Sequence, residues 1–169
     1  MKQQQEVWLR GPIAGIPMLL QPVAHALLQA CEEIELFMND FPAVDLWKKP
    51  AGLASVAFHL QHLSGVLDRL FTYARAQQLN SNQLAKLAAE GNFDETFTSQ
   101  QLVMAFNEQV SGSINELRMV NEAQLLETRC VGRANIPSTM LGLYVHAAEH
   151  TMRHLGQLLV TVKVVQPKI

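Results

Sequence analysis

Apolar side chains recur at helical spacing between Pro17 and Asn39, where Leu20, Val23, Leu27, Cys31, Ile34 and Met38 fall on one stripe. Pro17 suits the first turn of that helix, because its missing N–H has no intrahelical acceptor to lose. A second stripe, Val56, His59, Leu63, Leu67, Leu70 and Ala74, predicts a helix from Leu53 or Ser55 to Gln77. Thr98-Ser99-Gln100-Gln101 has the form of a capping box and starts a third helix through Val120. Pro137 opens a fourth, which reaches about Lys163 with one internal glycine, Gly156, and no internal proline.

The segments between these helices read differently. Residues 1–16 form an irregular lead-in, and 39–52 (NDFPAVDLWKKPAG) are turn chemistry with one or two short pieces. Residues 78–97 are polar and weakly patterned, with a short helix at Gln83–Glu90. Residues 121–136 read as a loop with a short turn of helix. No Asn-Gly dipeptide and no sustained period of two argue for strands. The expected fold is therefore all-α, a four-helix bundle in one domain spanning 1–169. The link between the second and third helices runs to about twenty residues, where bundle hairpins use roughly 2–8. A link of that length can cross the bundle end to end, which gives an up-down-down-up order. The second and fourth helices are then antiparallel.

Composition narrows the classes. Of 169 residues, 49% are hydrophobic and 17% charged, enough apolar material for a core. Lys+Arg 13 against Asp+Glu 15 gives a net charge of -2, so no basic field attracts nucleic acid. No apolar run approaches the roughly 18 residues of a membrane span, and MKQQQEVWLRGP lacks the apolar region of a secretory signal. Cys31 and Cys130 form neither a CxxC pair nor a disulfide framework. These features predict a soluble, cytoplasmic protein with no nucleic-acid or membrane partner.

The chemistry concentrates in histidine. Of six, His25 stands alone, His59 and His62 lie in AFHLQHLSG, and His146, His150 and His154 lie in YVHAAEHTMRHLGQ. A step of four residues turns ~400° on a helix, so His150 and His154 share a face and can chelate one ion. His62 lies about nine residues after Leu53, and the midpoint of His150 and His154 about eleven before Lys163. In antiparallel helices those heights nearly agree, so three imidazoles can meet. Three neutral imidazoles leave a coordination position open, the arrangement of catalytic zinc, and nickel or iron is also compatible. His25 reads as a core residue. His59 and His146 are either donors that orient a ligand or ordinary helix positions.

Other chemistries find no support. HExxH, Glu-x-x-His, GxGxxG, GxxxxGK[ST] and GxSxG are all absent. Cys31 falls on an apolar stripe and reads as core. Cys130 sits beside Arg129 and Arg133, a weak signal for a reactive thiol. Glu149 points about 100° away from its neighbour His150 and reads as a salt-bridging surface residue.

SVAFHLQHLSGVLDRLFTYA and HAAEHTMRHLGQL resemble the DinB/YfiT superfamily of metalloenzymes, and the likeness extends from PMLLQPVAHALLQACEE to the end of the last helix. The resemblance implies an up-down-down-up four-helix bundle. It also implies a site made by one His of the second helix and an H-x3-H pair of the fourth, followed by Gly-Gln. His62, His150 and His154 take those places, with Gly156-Gln157 in register. Leu155 departs from the pattern, since many relatives carry an arginine after the last ligand, whereas here Arg153 precedes it. His59 is the alternative ligand of the second helix.

The family implies a divalent metal, Zn or Ni, and either a low-molecular-weight thiol cofactor, as in S-transferases, or water, as in hydrolases. A metal at such a site lowers the pKa of bound water to around 7 or holds a thiol as thiolate. The partner is then a small-molecule substrate. The contrasting reading is a non-catalytic metal-binding or stress-associated bundle. Val7, Trp8, Leu9, Ile13 and Ile16 in the lead-in either cover the bundle's open end or pair across a homodimer.

Overall fold

The computed structural model describes residues 5–166; the first four residues of the expected lead-in lie outside them. Among the described residues, which are mostly helical, there are five α-helices and one short hairpin. They are α1 (Gln21–Met38), α2 (Val56–Ala74), α3 (Ser81–Ala89), α4 (Ser99–Arg118) and α5 (Met140–Val165), with β1 (Thr128–Val131) and β2 (Ile136–Thr139) between α4 and α5. Short 3-10 turns occupy Val7–Arg10, Met18–Leu20, Ala43–Asp45, Pro50–Gly52 and Glu122–Gln124.

Helix starts follow their caps. Ser55 accepts from the Phe58 N–H, Asn80 and Gln83 form a capping box, and so do Thr98 and Gln101, as the sequence predicts for the last pair. The first helix begins four residues later than its pattern suggests. Pro17 opens a 3-10 turn instead, and Pro22 takes the first turn of α1.

Residues 128–139 differ from the expected loop. Thr128 pairs with Thr139 and Cys130 with Pro137 in an antiparallel hairpin. Pro137 therefore belongs to β2, and Thr139 caps α5 by accepting from the Gly142 N–H at 3.0 Å. The strands escape a pattern search because they are four residues each, with only half of those residues exposed and no alternating apolar face, and are joined through Gly132 and a left-handed Asn135 (φ 50) rather than an Asn-Gly pair.

α1 packs on α4 and α5, and α2 packs on the same two helices. Leu27, Leu60, Leu63, Phe71, Phe106, Leu117, Tyr144 and Leu158 fill the space between them in one apolar cluster. Arg75 after α2 meets Glu116 near the end of α4 at 2.5 Å. Ser99 at the start of α4 donates to the carbonyl of Phe41, after α1, at 2.8 Å. α3 lies along α2: Gln83 donates to Thr72 Oγ1 at 2.7 Å and Asp68 Oδ2 at 3.0 Å, and eight residues on the Gly91 N–H donates to Gln61 Oε1 at 2.9 Å. The crossover thus runs back along α2 toward its N-terminal half, and this places Glu90 beside the histidines.

The lead-in covers part of its own apolar surface. Val7 and Ile16 are buried, while Trp8 and Leu9 remain exposed. Gln29 accepts from the Val7 N–H at 2.8 Å, and Gln21 ties down Ile13 and Ile16. Cys31 and Cys130 are free thiols. Burial first, then Glu35 and Glu32, pushes the Cys31 thiol up to about 12, in keeping with a packing role. Among the described residues no helix is long and apolar enough to cross a membrane.

Candidate metal centre

The histidines of α2 and α5 meet where the two helices face each other. His62 Nε2 stands 2.9 Å from His150 Nε2, and His59 Nδ1 stands 3.2 Å from His154 Nδ1. One ligand atom from each of His62, His150 and His154 lies within 4.8 Å of the others. Nitrogens around a tetrahedral zinc sit about 3.3 Å apart for Zn–N bonds of ~2.0–2.1 Å, a few tenths of an ångström more than the His62–His150 separation of 2.9 Å. The Phe58 ring stacks on His62 at 5.3 Å and 12° and meets His59 edge-on, closing one side of the cluster.

Glu90, which ends α3, accepts from His62 Nδ1 through Oε2 at 2.7 Å. An ionised carboxylate can only accept, so His62 carries a proton on Nδ1, and in the neutral ring the lone pair is then the one at Nε2. Arg69 donates to the other oxygen at 2.6 Å. Burial raises the Glu90 pKa, but the hydrogen bonds from His62 and Arg69 outweigh it and hold the carboxyl below its usual range. Carboxylate, histidine and open Nε2 reproduce the order in which metal-bound imidazoles are commonly held.

His59 is 4% exposed and stands in the corresponding place for His154. When the His154 Nδ1–H donates to His59, its Nε2 is also left with a lone pair. His150 has no such orienting partner: Nε2 faces His62, while Nδ1 is buried with no hydrogen bond. An uncompensated buried nitrogen costs roughly 1–3 kcal/mol, and this one is not the nitrogen that faces His62. Burial, followed by the repulsion that His62, His150 and His59 would exert when protonated and by the Arg153 charge, lowers the His154 pKa to about 4. His150 is lowered by burial, then His62, His146 and Arg153, and His59 by burial and then His62. Both neutral rings and lone pairs suit the donor set to a divalent ion.

The remaining histidines lie apart from this arrangement. His25 is partly buried and bonds through Nε2 to the Gly11 carbonyl at 3.1 Å, which fastens the lead-in to α1. His146 is exposed and stands 3.3 Å from Glu149 Oε2. Glu149 in turn pairs with Arg153, the surface role its helical position predicts. Glu90, Arg69 and Phe58 are the additions that sequence reasoning missed. The available signals were the left-handed Gly91 (φ 79) directly after Glu90 and the glycine at position 65 inside α2.

A cleft of about 710 Å³ opens between α2, α4 and the crossover, lined by Gln61, Asp68, Glu90, Phe93, Leu102 and Glu108 among others. Glu90 lines it and the histidines do not. One carboxylate therefore touches both the cleft and the imidazole cluster.

The model of the DinB superfamily matches residues 23–158 of the chain. The chain is also similar in fold to the conserved protein of a locus from Enterococcus faecalis. The TM-score is 0.69 at 20% identity, over 88% of this chain and 98% of that one. No protein of curated function matches it.

Proposed function

The chain belongs to the DinB superfamily, and from that premise we propose that it is a metal-dependent enzyme whose ion is held by His62, His150 and His154. The observation that carries the reading is the convergence of three ligand atoms within 4.8 Å, with the His62 lone pair fixed toward His150 by Glu90. A divalent ion here, Zn or Ni, supplies Lewis acidity that makes a low-molecular-weight thiol or a water molecule nucleophilic near neutral pH.

The chain's own residues do the positioning. Glu90 keeps the Nδ1 proton of His62 in place, Arg69 keeps Glu90 ionised, and His59 orients His154. Neutral imidazoles leave the ion's positive charge uncompensated, which favours an anionic nucleophile beside a small-molecule substrate. We read the four long helices as a bundle in up-down-down-up order within one domain. In support, Arg75 meets Glu116 at the ends of α2 and α4, and His59 and His62 meet His154 and His150 in reversed order. Two free thiols agree with a cytoplasmic setting.

Metal content per chain after native purification tests the proposal. About one equivalent is expected for wild type and none for His154→Ala or His62→Ala, with helical content unchanged. No metal in wild type, even after incubation with Zn or Ni, would remove the ion from the account and leave a bundle whose role lies with a partner.

A further inference from the structure

The outer face of α5 carries a second group with metal-ligating chemistry. His146, Glu149 and His150 each offer one ligand atom, and the three atoms lie within 4.8 Å of one another. They occupy positions i, i+3 and i+4 of one helix, so adjoining turns bring them together. Arg153 donates through Nε to Glu149 Oε1 at 2.9 Å and also reaches it through Nη2. The other oxygen, Oε2, stands 3.3 Å from His146 Nδ1. The guanidinium therefore fixes one oxygen and leaves the second aimed at the imidazole.

His150 belongs to both groups. Its ring meets His146 edge-on with 5.4 Å between centroids and lies 4.7 Å from the ring of His154. The side chains of His146 and Glu149 are 50% and 49% exposed, against 17% for His62. An ion arriving from water therefore meets the outer pair first. Stripping a divalent ion of all its ligands to enter a half-buried site is costly, whereas exchanging them one at a time around a retained imidazole avoids that state.

We propose that His146, Glu149 and His150 form an outer position for a divalent transition-metal ion, from which the ion passes to His62 and His154 while staying bound to His150. Two imidazoles and one carboxylate suit Zn or Ni. In the transfer the bonds to His146 and Glu149 break and bonds to His62 and His154 form, with no change in oxidation state. The released carboxylate keeps its contact with Arg153. This inference rests on the inner site proposed above.

The test is uptake of Zn²⁺ by metal-free, full-length protein, followed by stopped flow against a chromogenic chelator and by equilibrium titration. His146→Ala and Glu149→Gln are compared with wild type, and Glu122→Gln removes the same charge at an exposed position elsewhere. His146→Ala and Glu149→Gln should retain the tight equivalent but acquire it at least about five-fold more slowly, and Glu122→Gln should match wild type. Equal uptake rates with the tight equivalent intact would overturn the outer position and leave the three-His reading standing. Absence of a tight equivalent in wild type would instead remove the inner site and the handover with it.

Discussion

Gly65 gives the Glu90 carboxylate room to lie against α2: a Cβ at that position would collide with Glu90 Oε1 and stand 2.6 Å from Arg69 Nη1. Glycine inside a helix costs about 1 kcal/mol relative to alanine, so its presence here has a steric reason. Gly65→Ala should displace Glu90 from His62 despite the better helix propensity. The expected result is a divalent-metal affinity roughly ten-fold weaker, with a melting temperature within a few degrees of wild type. Affinity equal to wild type in a competition titration would mean that the carboxylate does not support the imidazole.

Glu90→Gln separates charge from shape. Glutamine can still accept from His62 Nδ1, but it leaves the Arg69 guanidinium, 9% exposed, without its anion. Breaking a buried ion pair by removing one partner costs about 3 kcal/mol. Urea unfolding of the metal-free protein should therefore show a lower midpoint for Glu90→Gln. Metal affinity should also fall, on the order of 10-fold, because a neutral acceptor makes the His62 ring a weaker donor to the ion. An unchanged urea midpoint would show that water already compensates Arg69.

The helices and the histidine positions were legible because each rests on local spacing. His150 and His154 are four residues apart, and in antiparallel helices the height of His62 nearly agrees with theirs. Glu90 was not legible, since it is 28 residues from His62 in a polar stretch and reaches it only because the crossover doubles back along α2. The hairpin escaped for a different reason. Its four-residue strands carry no alternating apolar face, so their pairing leaves little mark on the sequence.

The end of α2 predicts a stabilising substitution. Ala76 follows the C-cap with φ 58, and the Ala76 and Gln77 N–H groups close the helix by donating to the carbonyls of Tyr73 and Thr72. An L side chain in the left-handed region costs about 1 kcal/mol, which glycine avoids. Ala76→Gly should raise the melting temperature by a few degrees without altering metal affinity. Glycine also loses more entropy on folding, so an unchanged melting temperature would mean that the two effects cancel at this exposed turn.

Acid should destabilise the metal-free protein in a window set by its histidines. The folded-state pKa of His154, about 4, lies below its ordinary value of 6.5, because burial and then repulsion from the clustered imidazoles and Arg153 disfavour its imidazolium. Between those values the unfolded chain takes up a proton that the folded chain refuses, so stability rises with pH across the window. It is fully present above 6.5 and is lost as pH falls toward 4. His150 and His59 are lowered too and act in the same direction. The His154 shift alone would amount to about 3 kcal/mol, but water screening at this half-exposed site reduces that to roughly 1 kcal/mol. Glu90, held below its usual range, adds a further loss once the pH drops below 4.5. Urea midpoints measured at pH 7.5, 6.0 and 5.0 should decline in that order, and the decline should be shallower in His154→Gln. A flat series in wild type would mean that the four clustered rings rearrange to accept protons without cost, and their lone pairs would then not be held for an ion.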